Sequence, residues 1–122
     1  MGETNLTVLL RTMEPVLDPE PYGFEVRDGV LPFQPFATVA EAEGMTVVAP
    51  LALLGGGDPW ARISLTVHSD LAAVGLTAAF ATALGREGIS CNVIAGVHHD
   101  HLFVQWDRRE DAMAALEALS HA

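Results

Sequence analysis

At 122 residues, half of them apolar, the chain can build one compact unit with a real core, so neither disulfide nor metal staples are demanded. Sixteen acidic residues face six arginines, giving a formal net charge of −10 that makes nucleic acid and anionic membrane poor partners. Lysine is absent, which removes both a phosphate-loop lysine and a Schiff-base nucleophile.

The lone cysteine, Cys91, has no partner for an intramolecular disulfide and reads as a small buried hydrophobe. The first ten residues lack the basic start and apolar core of a signal peptide. No apolar run approaches the ~20 residues of a membrane span, so a cytoplasmic protein is expected.

In chain order, Asn5 to Met13 predicts a short helix carrying Leu6, Leu9, Leu10 and Met13. Pro15, Pro19 and Pro21 break the chain before a strand at Tyr22-Gly23-Phe24-Glu25-Val26. Phe36 to Glu43 is expected to be helical and to end at Gly44, with a strand over Met45 to Pro50. Gly55-Gly56-Gly57-Asp58-Pro59 reads as a linker. The organisation expected is a degenerate half over 1–54, a linker at 55–60 and a better-formed domain at 61–122.

From Arg62 to His68 the residues alternate, placing Ile63, Leu65 and Val67 on one face of a strand. Ser69-Asp70 is an N-cap signal for a helix reaching Glu87, striped by Leu76, Phe80 and Leu84 and stopped by Gly88. A second strand follows over Ile89 to Ala95, with Ile89, Cys91, Val93 and Ala95 inward. The turn Gly96-Val97-His98-His99-Asp100 leads to a third strand, His101 to Trp106, burying Leu102, Val104 and Trp106. Asp107 and Glu110 resemble a capping box opening a last helix with Met113, Leu116 and Leu119 on its apolar side. The order β-α-β-β-α is one strand short of the ferredoxin-like unit, and the missing strand is expected from the first half.

The run from Leu65 through Ser69-Asp70-Leu71 to Val74-Gly75-Leu76 resembles the first strand, ligand loop and helix start of ACT domains. Ala83 to Ile94, His99 to Val104 and Ala115 to Leu119 continue the resemblance, which is similar to the ACT regions of aspartate kinases. Tyr22-Gly23-Phe24 and Glu41-Ala42-Glu43-Gly44-Met45-Thr46 are similar to small stand-alone bacterial ACT proteins. The resemblance implies an α+β, βαββαβ-type fold in tandem ACT-like halves, an antiparallel sheet with helices on one face, and a homodimer. It also implies a non-catalytic regulatory sensor of a small molecule, an amino acid above all, without cofactor. The implied ligand residues are Ser69, Asp70, Leu71, Val74, Gly75, Leu76, Asn92, Ile94 and Glu43.

Elementary chemistry bears on several of these. Gly75 after a strand admits a close backbone approach, and the amides at the following helix start suit a carboxylate, although plain helix–sheet packing would need the same glycine. Asn92 can both donate and accept, or serve as an edge residue. Glu41 and Glu43 either counter an amino group or form a solvated helix face.

The cluster His98, His99, Asp100 and His101 has metal-binding chemistry, but extended alternation leaves only two ligands per face unless His68 lies alongside. A solvated hairpin whose turn Asp100 organises is the simpler reading, and no metal is expected. No nucleophile elbow, phosphate loop or paired acids mark an enzyme. A ligand-free dimerisation module, and after it a His-dependent metal protein or hydrolase, remain the alternatives.

Overall fold

The computed structural model describes residues 2–121. Its elements in chain order are α1 (Leu6–Arg11), β1 (Pro15–Leu17), β2 (Tyr22–Arg27), β3 (Ala37–Glu41), β4 (Gly44–Pro50), β5 (Trp60–Leu65), α2 (Leu76–Arg86), β6 (Asn92–Ala95), β7 (Asp100–Gln105) and α3 (Arg109–Ser120). The chain forms two compact units, one of residues 1–18 with 61–122 and the other of residues 19–60.

In the first unit the strands lie in the order β1-β5-β7-β6. Chain segment 61–122 supplies three of them, and the missing fourth comes from the first half, where β1 pairs antiparallel with β5 through Pro15↔Leu65 and Leu17↔Ile63. This is the ferredoxin-like strand order, with the last strand contributed from ahead of the first. Strand β5 alternates as its sequence demands, Ala61, Ile63 and Leu65 being fully buried while Arg62 and Ser64 take the other face. Against its buried side pack Leu76, Phe80 and Leu84 of α2, Ala112 and Leu116 of α3, and Leu9 and Met13 from the α1 region.

Several local expectations need correction. Ser69-Asp70 does not open a helix. Asp70 accepts from the Ala72 amide at 2.8 Å in a side-chain turn, its carbonyl accepts from Ala73 at 3.0 Å, and α2 begins only at Leu76. Gly75 is therefore the N-cap of α2, at φ +100°, and not a residue one turn inside it. Gly88 does end the helix at φ +71°, where the Ile89 amide donates to the Leu84 carbonyl at 3.0 Å.

Strand β6 starts at Asn92 and forms an edge, so Val93 and Ala95 are exposed; Ile89 before it is buried, Cys91 half-buried. Burial pushes the Cys91 thiol pKa up, as suits an unreactive side chain. Trp106 opens a 3₁₀ turn (Trp106–Arg108) rather than closing β7, and no side chain caps α3. The Arg109 guanidinium lies 3.9 Å from the Trp106 ring centroid and donates to the Trp106 carbonyl, holding that turn instead of a capping box.

The second unit is a three-stranded antiparallel arrangement, β3-β4-β2, with Val47, Val48 and Ala49 of β4 buried. Tyr22 stacks edge-on against Phe36 at 6.0 Å, and Trp60 pairs with Tyr22 and meets the Phe24 ring edge-on. The expected helix over Phe36 to Glu43 is the strand β3. Its β-branched Thr38 and Val39 face a ready partner in β4, and pairing outweighs the helical bias of the Ala and Glu residues around them. Glu41 closes the hairpin opposite Gly44 and accepts from the Thr46 hydroxyl at 2.6 Å.

Candidate functional site

The ten residues between β5 and α2 make the only long irregular connection on the helix side of the first unit among the described residues, and most of the expected ligand residues lie on it. Because Gly75 adopts a positive φ and carries no side chain to reach back, α2 starts without a side-chain cap. Its first intrahelical bond is Ala79 N–H to the Gly75 carbonyl at 2.9 Å. The amides of Leu76, Thr77 and Ala78 are thus without acceptors inside the helix, at the positive end of its dipole.

A cavity of about 90 Å³ opens beside these amides, lined by Ser69, Asp70, Leu71, Ala73, Leu76, Thr77, Ala95 and Asp100. Its lining brings the hydroxyl residues Ser69 and Thr77 together with two acidic residues, Asp70 from the loop and Asp100 from the start of β7. Burial pushes the Asp100 carboxyl above its ordinary pKa, with His99 opposing the shift. A positive group placed in the cavity would reverse that penalty. A second cavity, about 250 Å³, shares Ser69, Asp70 and Leu71 with the first and is otherwise lined by Gly2, His68, Val97 and His98.

Of the nine residues expected to bind ligand, Ser69, Asp70, Leu71 and Leu76 are brought together at the smaller cavity. Gly75 adjoins it as the N-cap, and Val74 is 83% exposed beside it. Asn92 and Ile94 lie opposite Phe103 and His101 on β7, on the face of the sheet away from Leu102 and the helices. Asn92 donates to the Phe103 carbonyl at 3.4 Å. Glu43 is exposed in the β3–β4 turn of the other unit. Ala73, Thr77, Ala95 and Asp100 also line the smaller cavity and lie outside the expected set. Asp100 belongs to β7, paired with Ala95, rather than organising the turn.

The histidines also depart from simple alternation, because His98 and His99 are turn residues outside any strand. His68 does lie alongside: its Nε2 is 3.0 Å from Nδ1 of His98, with the His99 ring 6.3 Å from both. His101 turns away to bond Ser64 Oγ through Nδ1 at 2.8 Å. Among the described residues no three His, Cys, Asp or Glu side chains are arranged to hold a metal ion. No helix among them is long and apolar enough to cross a membrane.

Comparison with known families matches two ACT-domain models, one over residues 1–52 and one over residues 57–118. Comparison with curated proteins finds no match. Among solved structures, a Vibrio cholerae protein of unknown function, described as a possible transport protein, is 45% identical with a TM-score of 0.81. The match covers 91% of this chain and 92% of that one. A structure of aspartokinase alpha and beta subunits is similar in fold, with 14% identity and a TM-score of 0.65 over 88% of this chain and 97% of that one. On both the sequence models and the fold, this chain belongs to the ACT-domain family.

Proposed function

We propose that this protein is a non-catalytic regulatory sensor that binds a small zwitterion, an amino acid, in the cavity at the start of α2. The observation that carries the reading is the meeting, around a cavity of about 90 Å³, of a helix start whose first amides have no acceptor within the helix and of the acidic residues Asp70 and Asp100. A ligand carboxylate would dock on the amides of Leu76 and Thr77, and its ammonium on the two aspartates. Ser69 and Thr77 offer hydroxyls to either end, and Leu71 and Leu76 supply apolar walls. Gly75 supplies the positive φ from which α2 starts without a side-chain cap.

The test is a thermal-shift screen of the common amino acids, since a ligand that binds only the native state must raise the melting temperature. One amino acid is expected to stabilise the protein, and Asp100→Asn should weaken its binding about tenfold or more. The sign of the pH dependence follows from the raised pKa of Asp100. Ligand binding should fade as pH drops through that pKa, because the ammonium loses its counter-charge. The same protonation favours the unliganded fold, which takes up that proton more readily than the unfolded chain does. A flat response to every amino acid would favour the ligand-free dimerisation module instead.

The protein is also proposed to be a homodimer. Support comes from β6, an open sheet edge with exposed Val93 and, in the following turn, Val97. Light scattering should give twice the chain mass at working concentration. A strict monomer with and without amino acid rules the dimer out.

A further inference from the structure

The connection that carries Ser69, Asp70 and Leu71 packs on the core through Val67 and Ala73 at its two ends, whereas Leu71 is 66% exposed and Val74 more so. Between those anchors its backbone is held by the residues just ahead of α1. The Glu3 amide donates to the His68 carbonyl at 2.9 Å, and the Asp70 amide donates to the Glu3 carbonyl at 3.0 Å, so Glu3 pairs with Ser69 as a one-residue parallel bridge. Glu3 is itself held, its Oε2 accepting from the Thr4 and Asn5 amides at 3.0 and 2.9 Å. Three residues on, the Leu6 side chain lies against Gly75, with its Cδ2 3.0 Å from where a Cβ on Gly75 would sit.

Gly2 begins this contact, and its lack of a side chain is a steric requirement. A Cβ there would lie 2.4 Å from the Ser69 carbonyl carbon, 2.5 Å from the Asp70 nitrogen and 2.7 Å from the Ser69 oxygen. These are backbone atoms, which cannot swing aside as a side-chain end would. Any other residue at position 2 must push the strap and the loop apart.

We infer that residues 2–6 act as a strap that sets the ligand loop, with Gly2 as a positioning residue for the amino-acid site. The inference rests on the ligand reading above for its functional half. Without the strap, the bridge to Ser69 and the two hydrogen bonds flanking it open, and Asp70 loses its fixed aim at the cavity. Core packing of α2 and α3 on the sheet does not involve Gly2, Glu3 or Thr4. Loop order and global stability are therefore separable.

The experiment compares the full-length wild type with Gly2→Ala, with Leu6→Ala at the other end of the strap, and with Thr4→Ala as a control. Amide exchange is first followed without ligand. Gly2→Ala should speed exchange at Glu3 and Asp70 at least tenfold while core amides of α2 and β5 keep their protection. Leu6→Ala should loosen the loop near Gly75, and Thr4→Ala should change nothing. Calorimetric titration then uses whichever common amino acid stabilises the wild type. Its affinity for Gly2→Ala should fall about tenfold, the loss expected from one or two backbone hydrogen bonds, with little change in melting temperature.

Unchanged exchange at Asp70 in Gly2→Ala overturns the strap. Faster exchange with unchanged affinity overturns the positioning role. Should no common amino acid bind the wild type, the ligand reading fails, and the exchange measurements still decide whether the strap exists.

Discussion

Phe80→Ala is expected to destabilise the protein by about 3–5 kcal/mol, a large fraction of the roughly 5–15 kcal/mol that holds a domain folded. Phe80 is fully buried at the middle of the α2 stripe, between Leu76 and Leu84, in the same core cluster as Ala61, Ile63 and Leu65 of β5. Removing its ring forfeits the transfer energy of the aromatic atoms and leaves a cavity walled by β5 and α3 side chains, which can collapse only in part. Denaturant unfolding of the two proteins measures the difference. Leu119→Ala, at a half-buried position near the end of α3, should cost clearly less. If the two substitutions cost the same, the core is not centred where α2 crosses β5.

Gly75→Val should lose both stability and ligand. At φ +100° and ψ −20° the backbone of residue 75 sits where a β-branched side chain is a genuine outlier, a strain of about 1–3 kcal/mol. Valine's advantage over glycine inside helices does not apply, because residue 75 caps α2 rather than lying within it. The added Cβ would also press on the Leu6 side chain, which is flexible enough to give way, so strain in the backbone is the larger effect. Relief of that strain requires the loop end to rotate, and the amides of Leu76 and Thr77 turn with it. Gly75→Asn is the matched comparison, since asparagine tolerates positive φ far better than valine. Its melting temperature and amino-acid binding should stay closer to wild type. A Val variant that melts and binds like wild type would show that neither the capping geometry nor the helix start matters to the site.

Which parts of this molecule could be read in advance depended on how local their causes are. The stripe Leu76-Phe80-Leu84, the stop at Gly88 and the alternation of β5 all follow from residues within a turn or two of each other, and they are where the periodicity put them. The start of α2 was misplaced because two local signals competed. Ser69-Asp70 is a genuine capping pattern, and Leu71 and Val74 continue an apolar spacing. Yet the Asp70 side chain closes a turn, and Leu71 and Val74 stay outside the core, largely exposed.

The hairpin β3–β4 departs from the helix predicted there for the converse reason, since its conformation is decided by a partner strand rather than by the residues from Phe36 to Glu43 themselves. Of the residues lining the candidate cavity, Ser69 to Leu71 and Leu76 are within reach of the sequence because the resemblance to ACT domains covers that contiguous run. Asp100 is not, because only the β6–β7 register carries it to the cavity. A pleat argument could have flagged Asn92 and Ile94, whose parity with Phe103 sets them on the sheet face opposite the helices.

The origin of β1 has a consequence for how the polypeptide emerges from the ribosome. Residues 19–60 are threaded as an insertion between β1 and the strand it must join. They leave the ribosome before that partner exists, so β1 must wait, unpaired, until Ile63 to Leu65 have been synthesised. Cutting the gene at the glycine-rich stretch would therefore not release a self-sufficient second module. A product of residues 61–122 would present the bare flank of β5 and lack the Leu9 and Met13 side chains that cover its helices, an edge open to pairing with any other copy.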